Sequence, residues 1–181
     1  MAWEIDTAHT HIEFAVKHMM ISTVKGRFDK FSGTFHVDEQ DIPASRVAIE
    51  IDAASINTNQ DYRDNHLRSA DFLDVEHYPT ITFKSTRVER SGPESAKVTG
   101  SLTIKGQARP VTLDVTLEGD ITDMKGQRRQ AYSATTTISR KEWGLEWNVA
   151  LESGGWLVGD AIQIAIEAEV FVPAPEAVAA N

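Results

Sequence analysis

Apolar and polar residues alternate along most of this chain. Val47, Ile49 and Ile51 are interleaved with Arg46, Ala48, Glu50 and Asp52. The same two-residue period carries Val98, Gly100, Leu102 and Ile104, then Val111, Leu113, Val115 and Leu117, then Ile162, Ile164, Ile166, Ala168 and Val170. Phe31, Gly33, Phe35 and Val37 share a face on an earlier run. A period of two means one dry face and one wet face, as in an antiparallel sheet buried on one side. Breakers separate the runs at Ser91-Gly92-Pro93-Glu94, Lys105-Gly106, Glu118-Gly119-Asp120 and Lys125-Gly126. About eight strand-like runs result, several longer than the usual ~5–6 residues. Long strands at this spacing favour a barrel or a sandwich. A barrel of about eight strands either fills its own interior or holds one small ligand. The alternation leaves both interiors open.

The alternation stops between Asn57 and Phe83, where Thr58-Asn-Gln-Asp-Tyr-Arg-Asp-Asn-His-Leu-Arg-Ser-Ala-Asp-Phe72 reads as a short helix. Thr58 is the predicted N-cap, with Asp61 three residues on as its partner. Asp64 and Arg68 are expected to pair at i,i+4. A helix of about ten residues is too short to stand alone. Leu67 and Phe72 are the residues expected to dock it on the barrel end, as a plug or lid.

This segment also carries a motif. Arg63-Asp64-x-His66-Leu67-Arg68-Ser69-x-Asp71-Phe72, followed by Tyr78-Pro79-x-Ile81-x-Phe83, resembles the YceI-like family of polyisoprenoid-binding, lipocalin-like proteins. Further pieces match in order: Trp3-x-Ile5-Asp6 with His9-Thr10, Ile12-x-Phe14-x-Val16-Lys17-His18-Met19, Val24-x-Gly26-x-Phe28 with Phe31-x-Gly33, Gly100-x-Leu102-Thr103-Ile104-Lys105-Gly106, and Ile138-x-Arg140-x-x-Trp143-Gly144-Leu145. The family often has Ser where Thr10 stands here, a change that keeps the hydroxyl. The resemblance implies an all-β fold: an elongated antiparallel β-barrel of about eight strands, lipocalin-like, with a short helical insertion and a hollow apolar tunnel. It places one domain over residues 1–172, with 173–181 as a flexible C-terminal tail.

Composition narrows the partners. The chain has 181 residues, no cysteine and a net charge of −9, with a pI near 5.1. Such a chain repels nucleic-acid phosphates and anionic lipid surfaces. Absence of cysteine excludes disulfides, Cys-ligated zinc and thiol catalysis. No stretch reaches ~18 consecutive apolar residues, so an integral membrane protein with helical spans is not expected. The start of the chain has no charged n-region followed by an apolar core. Many members of the resembled family are periplasmic; this chain is expected to be cytoplasmic.

No catalytic motif stands out, and no enzyme activity, cofactor or metal site is expected. His9-x-His11 on a strand places two imidazoles on one face, a spacing that metal sites use and that ordinary edge histidines also show. His18 is read as a structural or head-group residue. Arg63, Arg68 and Arg140 suit an anionic head group because a guanidinium donates two parallel bonds. Structural salt bridges are the competing reading for them. Trp143-Gly144-Leu145 is expected to close a barrel end. The expected ligand contacts are Phe14, His18, Phe28, Phe35, Arg63, Leu67, Phe72, Phe83, Leu102 and Trp143.

Together these readings predict a binding module that sequesters a long apolar lipid for transport or storage. By resemblance the lipid is a polyisoprenoid, a polyprenyl quinone or a related chain. The alternatives are a filled barrel acting as a ligand-free structural or stress-response interaction protein, and a metal-dependent enzyme built on the His9/His11 face. A homodimer is expected, covering barrel edges that do not fully close.

Overall fold

The computed structural model describes residues 2–173. Residues 174–181 of the expected tail lie outside the described residues. The strands are β1 (Ala2–Ile5), β2 (His11–His18), β3 (Ser22–Phe28), β4 (Phe31–His36), β5 (Arg46–Asp52), β6 (Ile56–Asn57), β7 (Thr80–Arg90), β8 (Ser95–Ile104), β9 (Gln107–Thr122), β10 (Arg128–Ser139) and β11 (Val158–Phe171). Among the described residues one α-helix, α1 (Asp61–Arg68), and three short 3-10 helices interrupt them.

All the ladders are antiparallel, and they close on themselves. The ring runs β1-β4-β5-β7-β8-β9-β10-β11 and returns to β1 through Glu4 opposite Phe171 and Ile5 opposite Val170. The eight strands of this ring have no open edge, while β3 and β6, outside it, keep one. Strand β11 also pairs with β2, from Val158 opposite His18 to Glu167 opposite His11. Thus β1 and β2 lie end to end along one side of β11. From there the wall divides, β1 leading to β4 and β2 leading to β3 and β6. No ladder joins β3 to β4.

The alternating residues face inward in register. Phe83 stands opposite Leu102 and Ile49, and Ile164 opposite Phe14 and Thr136. A bulge between Ala131 and Tyr132 shifts the register of β9 against β10, which bends and twists the long strands as closure requires. Arg128 and Arg129, adjacent at the start of β10, fall on opposite faces. The Arg128 guanidinium lies over the Trp3 ring at 5.4 Å. Arg129 instead reaches Asp6, Asp123 and Glu169 at 2.8, 3.0 and 2.6 Å.

The helix is held differently from the expectation. Gln60, not Thr58, is the N-cap, its side chain accepting from the Arg63 amide. Thr58 lies two residues further out, where its amide donates to Asp64 Oδ1 at 2.9 Å and its hydroxyl bonds the same oxygen. Asp64 is buried there, so it is not available to Arg68. Arg68 donates to the carbonyls of Ala54 and Ile56 at 2.8 and 3.0 Å and to Asn65 at 3.1 Å. Polar side chains thus tie α1 to the strand before it, supplementing an apolar face too small to hold eight residues alone.

Candidate functional site

The barrel interior is hollow. A cavity of about 370 Å³ runs inside it, with an almost wholly apolar wall. Strand β11 supplies Ile162, Ile164, Ile166 and Ala168 to that wall, a row ~20 Å long at ~3.3 Å per residue. These three isoleucines face inward yet are only half-buried. They pack against the buried cluster and border the cavity as well, as the lining of a hollow barrel does. Phe14, Phe28, Val47 and Ile49 show the same half-burial.

One end is covered by the segment that follows β6. Leu67 of α1 and Phe72 and Leu73 beyond it border the cavity. His66 stands edge-on to Phe72 and Trp147, at 5.1 and 4.5 Å between ring centres. Its Nε2 meets Asp71 Oδ2 at 2.8 Å. At the other end the wall becomes polar. Tyr132 borders the cavity, and its hydroxyl donates to Gln130 Oε1 at 2.6 Å. The Gln130 amide donates onward to Asp120 at 2.9 Å and Glu39 at 3.3 Å. Arg128 closes this layer through Asp120 and through Glu39 at 2.7 Å. Burial pushes the Tyr132 phenol up to about 12, with the nearby Asp120 and Glu39 charges adding to it. The phenol therefore stays neutral. Its bond to Gln130 turns its polarity away from the cavity. The loop between β4 and β5 adds Ile42 to the wall at this end.

Seven of the residues expected from sequence border this cavity: Phe14, Phe28, Phe35, Leu67, Phe72, Phe83 and Leu102. His18, Arg63 and Trp143 do not. His18 is the last residue of β2, two past the cavity-lining Val16, where the strand turns back into β3. Arg63 spends its guanidinium on Thr58, donating to the hydroxyl at 2.7 Å and the carbonyl at 2.9 Å. Trp143 is sealed into solid core at 1% exposure, its indole donating to the Leu102 carbonyl. Tyr132 and the β11 isoleucines as contacts were not singled out from sequence. The signal lay in the alternation of Tyr132, Ala134, Thr136 and Ile138, all on the cavity wall, in a run whose threonines mask its inward face.

The other candidate groups are structural. Arg140 reaches the cavity wall but is buried, donating to the carbonyls of Gly159, Trp147 and Leu145. Burial lowers its pKa, against the opposing charge of Asp160 at 3.6 Å. With its nitrogens on backbone carbonyls it pins the loop after β10 and has no fork free for a head group. His9 is in the turn before β2, not on a strand with His11, and bonds Asp6 at 3.0 Å. Asp6, His9 and Glu169 gather their ligand atoms within 4.8 Å. The Arg129 guanidinium already bonds both carboxylates there.

Comparison with known proteins agrees with this architecture. The YceI-like domain family matches residues 3–170. A UPF0312 protein of Staphylococcus aureus is 38% identical over 168 residues, covering 92% of this chain and 95% of its own. The crystal structure of a Campylobacter jejuni YceI protein is similar at 30% identity, with a TM-score of 0.75 over 87% of this chain and 90% of that one. A Saccharophagus degradans domain, described as a polyisoprenoid binding domain implicated in plant cell wall breakdown, matches with a TM-score of 0.68. It shares 16% identity over 94% of this chain and 98% of that one, a likeness of fold.

Proposed function

This chain belongs to the YceI-like domain family, and from that membership we propose that it binds a long apolar lipid inside its barrel and carries or stores it. The continuous apolar cavity is the observation that supports the reading. Polyisoprenoids, polyprenyl quinones and related chains fit it, being long, flexible and almost free of hydrogen-bonding groups. Burying each methylene contributes about 0.8 kcal/mol. Ten would give a gross ~8 kcal/mol, comparable to binding at micromolar Kd. Loss of chain flexibility reduces that figure, so discrimination by chain length is soft.

In this reading the protein is a binding module and not an enzyme, and it carries no resident cofactor other than its lipid. The hollow interior weighs against a ligand-free barrel filled by its own side chains. A homodimer is proposed from the family resemblance alone. One chain lines the whole cavity, and light scattering that finds only monomer removes the dimer without touching the binding reading. Native mass spectrometry of untagged protein, with lipid extraction alongside, tests the function. A bound mass that extracts as an isoprenoid or long alkyl chain is expected. A clean apo mass, with no uptake of offered prenyl lipids, overturns it.

A further inference from the structure

Where the barrel wall divides, a second compartment opens. Strand β1 leads to β4 and β2 leads to β3, and no ladder bridges β3 and β4. A pocket of about 200 Å³ occupies this fork. It shares Thr10, Ile12 and Phe28 with the apolar cavity, so the two compartments meet across those side chains. Its remaining wall is of another character: Thr7, His11, Arg27 and Asp29, all exposed, with the ring of Phe31.

The chemistry of the two compartments is complementary. A polar group buried without a hydrogen bond is costly; the main cavity is almost wholly apolar, and Tyr132 at its polar end is already bonded to Gln130. A lipid with a polar end must therefore place that end elsewhere. At the fork, Arg27 donates its Nε to Asp29 at 2.7 Å. Its two terminal nitrogens make no hydrogen bond among the described residues, and neither do the Thr7 hydroxyl and the His11 ring. Asp29 also accepts from Asn57 at 2.9 Å. That bond first, and the Arg27 bond next, hold its carboxyl below the ordinary value. Asp29 is thus a fixed negative charge beside the donors, and it cancels the Arg27 charge.

We infer that the fork between β3 and β4 is a head-group compartment that takes an uncharged, oxygen-bearing lipid terminus, while the tail lies in the apolar cavity. Free donors on Arg27 and Thr7 suit carbonyl or hydroxyl oxygens. Ionised Asp29 disfavours a phosphate or carboxylate in the same space. Phe28 stands between the compartments, its ring 5.8 Å from that of Phe14. The inference rests on the lipid-binding reading above.

Delipidated full-length protein is titrated with three isoprenoids of equal tail length: the bare hydrocarbon, geranylgeraniol and geranylgeranyl diphosphate. The alcohol is expected to bind about tenfold more tightly than the hydrocarbon, the scale of one or two net hydrogen bonds. The diphosphate is expected to bind more weakly than the alcohol. Arg27→Leu should erase the advantage of the alcohol while the hydrocarbon affinity moves less than about twofold. Asp29→Asn should bring the diphosphate closer to the alcohol. Thr7→Val, away from the Arg27–Asp29 pair, is expected to lower the alcohol affinity about threefold. Equal affinity for alcohol and hydrocarbon, a preference for the diphosphate, or an alcohol preference untouched by both Arg27→Leu and Thr7→Val overturns the head-group site. If no probe binds at all, the lipid-binding reading itself fails, and the site with it.

Discussion

The indole Nε1 of Trp143 donates to the backbone carbonyl of Leu102 at 3.0 Å. This bond joins the turn after β10 to the middle of the sheet, across 41 residues of chain. Leu102 borders the cavity on its side-chain face while its carbonyl is held by core. Trp143 therefore belongs to stability and Leu102 to the cavity, although the two touch. Trp143→Phe should cost about 1 kcal/mol by removing that bond. Trp143→Ala should cost ~3–5 kcal/mol. Urea unfolding measures both. Lipid affinity of the folded Phe variant should be unchanged; an affinity loss larger than the stability loss would place Trp143 at the ligand after all.

Filling the tunnel tests the cavity directly. Ile164 faces Phe14 across the β2–β11 ladder with both on the cavity wall. Ile164→Trp puts a large ring into open space, where overpacking strain is small. Lipid uptake should fall at least ~10-fold, since displaced methylenes each carry about 0.8 kcal/mol. Glu118→Arg, at an exposed residue whose side chain bonds Ser133, should leave uptake alone. Isothermal titration with one prenyl lipid compares them, and equal effects would count against an interior site.

Gly26 couples the wall to its lining. A methyl group there would overlap the Phe14 ring and approach the Thr58 methyl to 2.8 Å. Gly26→Ala should push Phe14 into the cavity, lowering stability by about 1–3 kcal/mol and weakening lipid binding together with it. Paired melting and binding curves read this. A stability loss with full lipid affinity would show that Phe14 moves outward instead.

The covering helix has its own anchor. Asp64→Ala leaves the Thr58 amide and hydroxyl without an acceptor at a buried site. About 1–3 kcal/mol should be lost, with faster proteolysis confined to residues 58–72. Uniform protease sensitivity along the chain would show that the anchor serves the whole barrel and not the cover alone.

Acid stability should depend on Arg129. For Asp6, burial pushes the carboxyl up, and bonds from Arg129, His9 and the Ala8 amide together outweigh it, leaving the pKa lowered. Asp123 is lowered by the Gln127 amide first and by Arg129 second. Folded values below the unfolded value of about 3.9 make the sign definite. The stabilisation is complete above roughly pH 4 and is lost as pH falls through the lowered folded values. Arg129→Met should lower stability at neutral pH and flatten the decline below pH ~4. Urea midpoints at several acidic pH values test this, and parallel curves for the two proteins would remove Arg129 from the acid response.

Much of the architecture is local and was legible. Alternation located Val47–Ile51, Val98–Ile104, Val111–Val115 and Ile162–Ala168, because alternate strand positions face an apolar interior and the others face water. Phe35, Phe83 and Leu102 follow from that rule. The roles of His18, Arg63 and Trp143 do not, since motif positions are shared by residues that pack and residues that contact a ligand. Thr58 reads as a cap by type and spacing, while Gln60 takes the place because Asp64 draws Thr58 inward.

By itself, then, the sequence determined antiparallel strands with one helical interruption, a barrel through the family resemblance, and seven residues of the cavity wall. Its two-residue period is a property of each strand separately, set by local backbone geometry. Only the tertiary structure decided that the interior is hollow, that β1 returns to β11, and that the wall forks between β3 and β4. Those depend on the circumference of the ring and on how far inward side chains reach across it. Both are sums over strands distant in sequence, and no single segment encodes them.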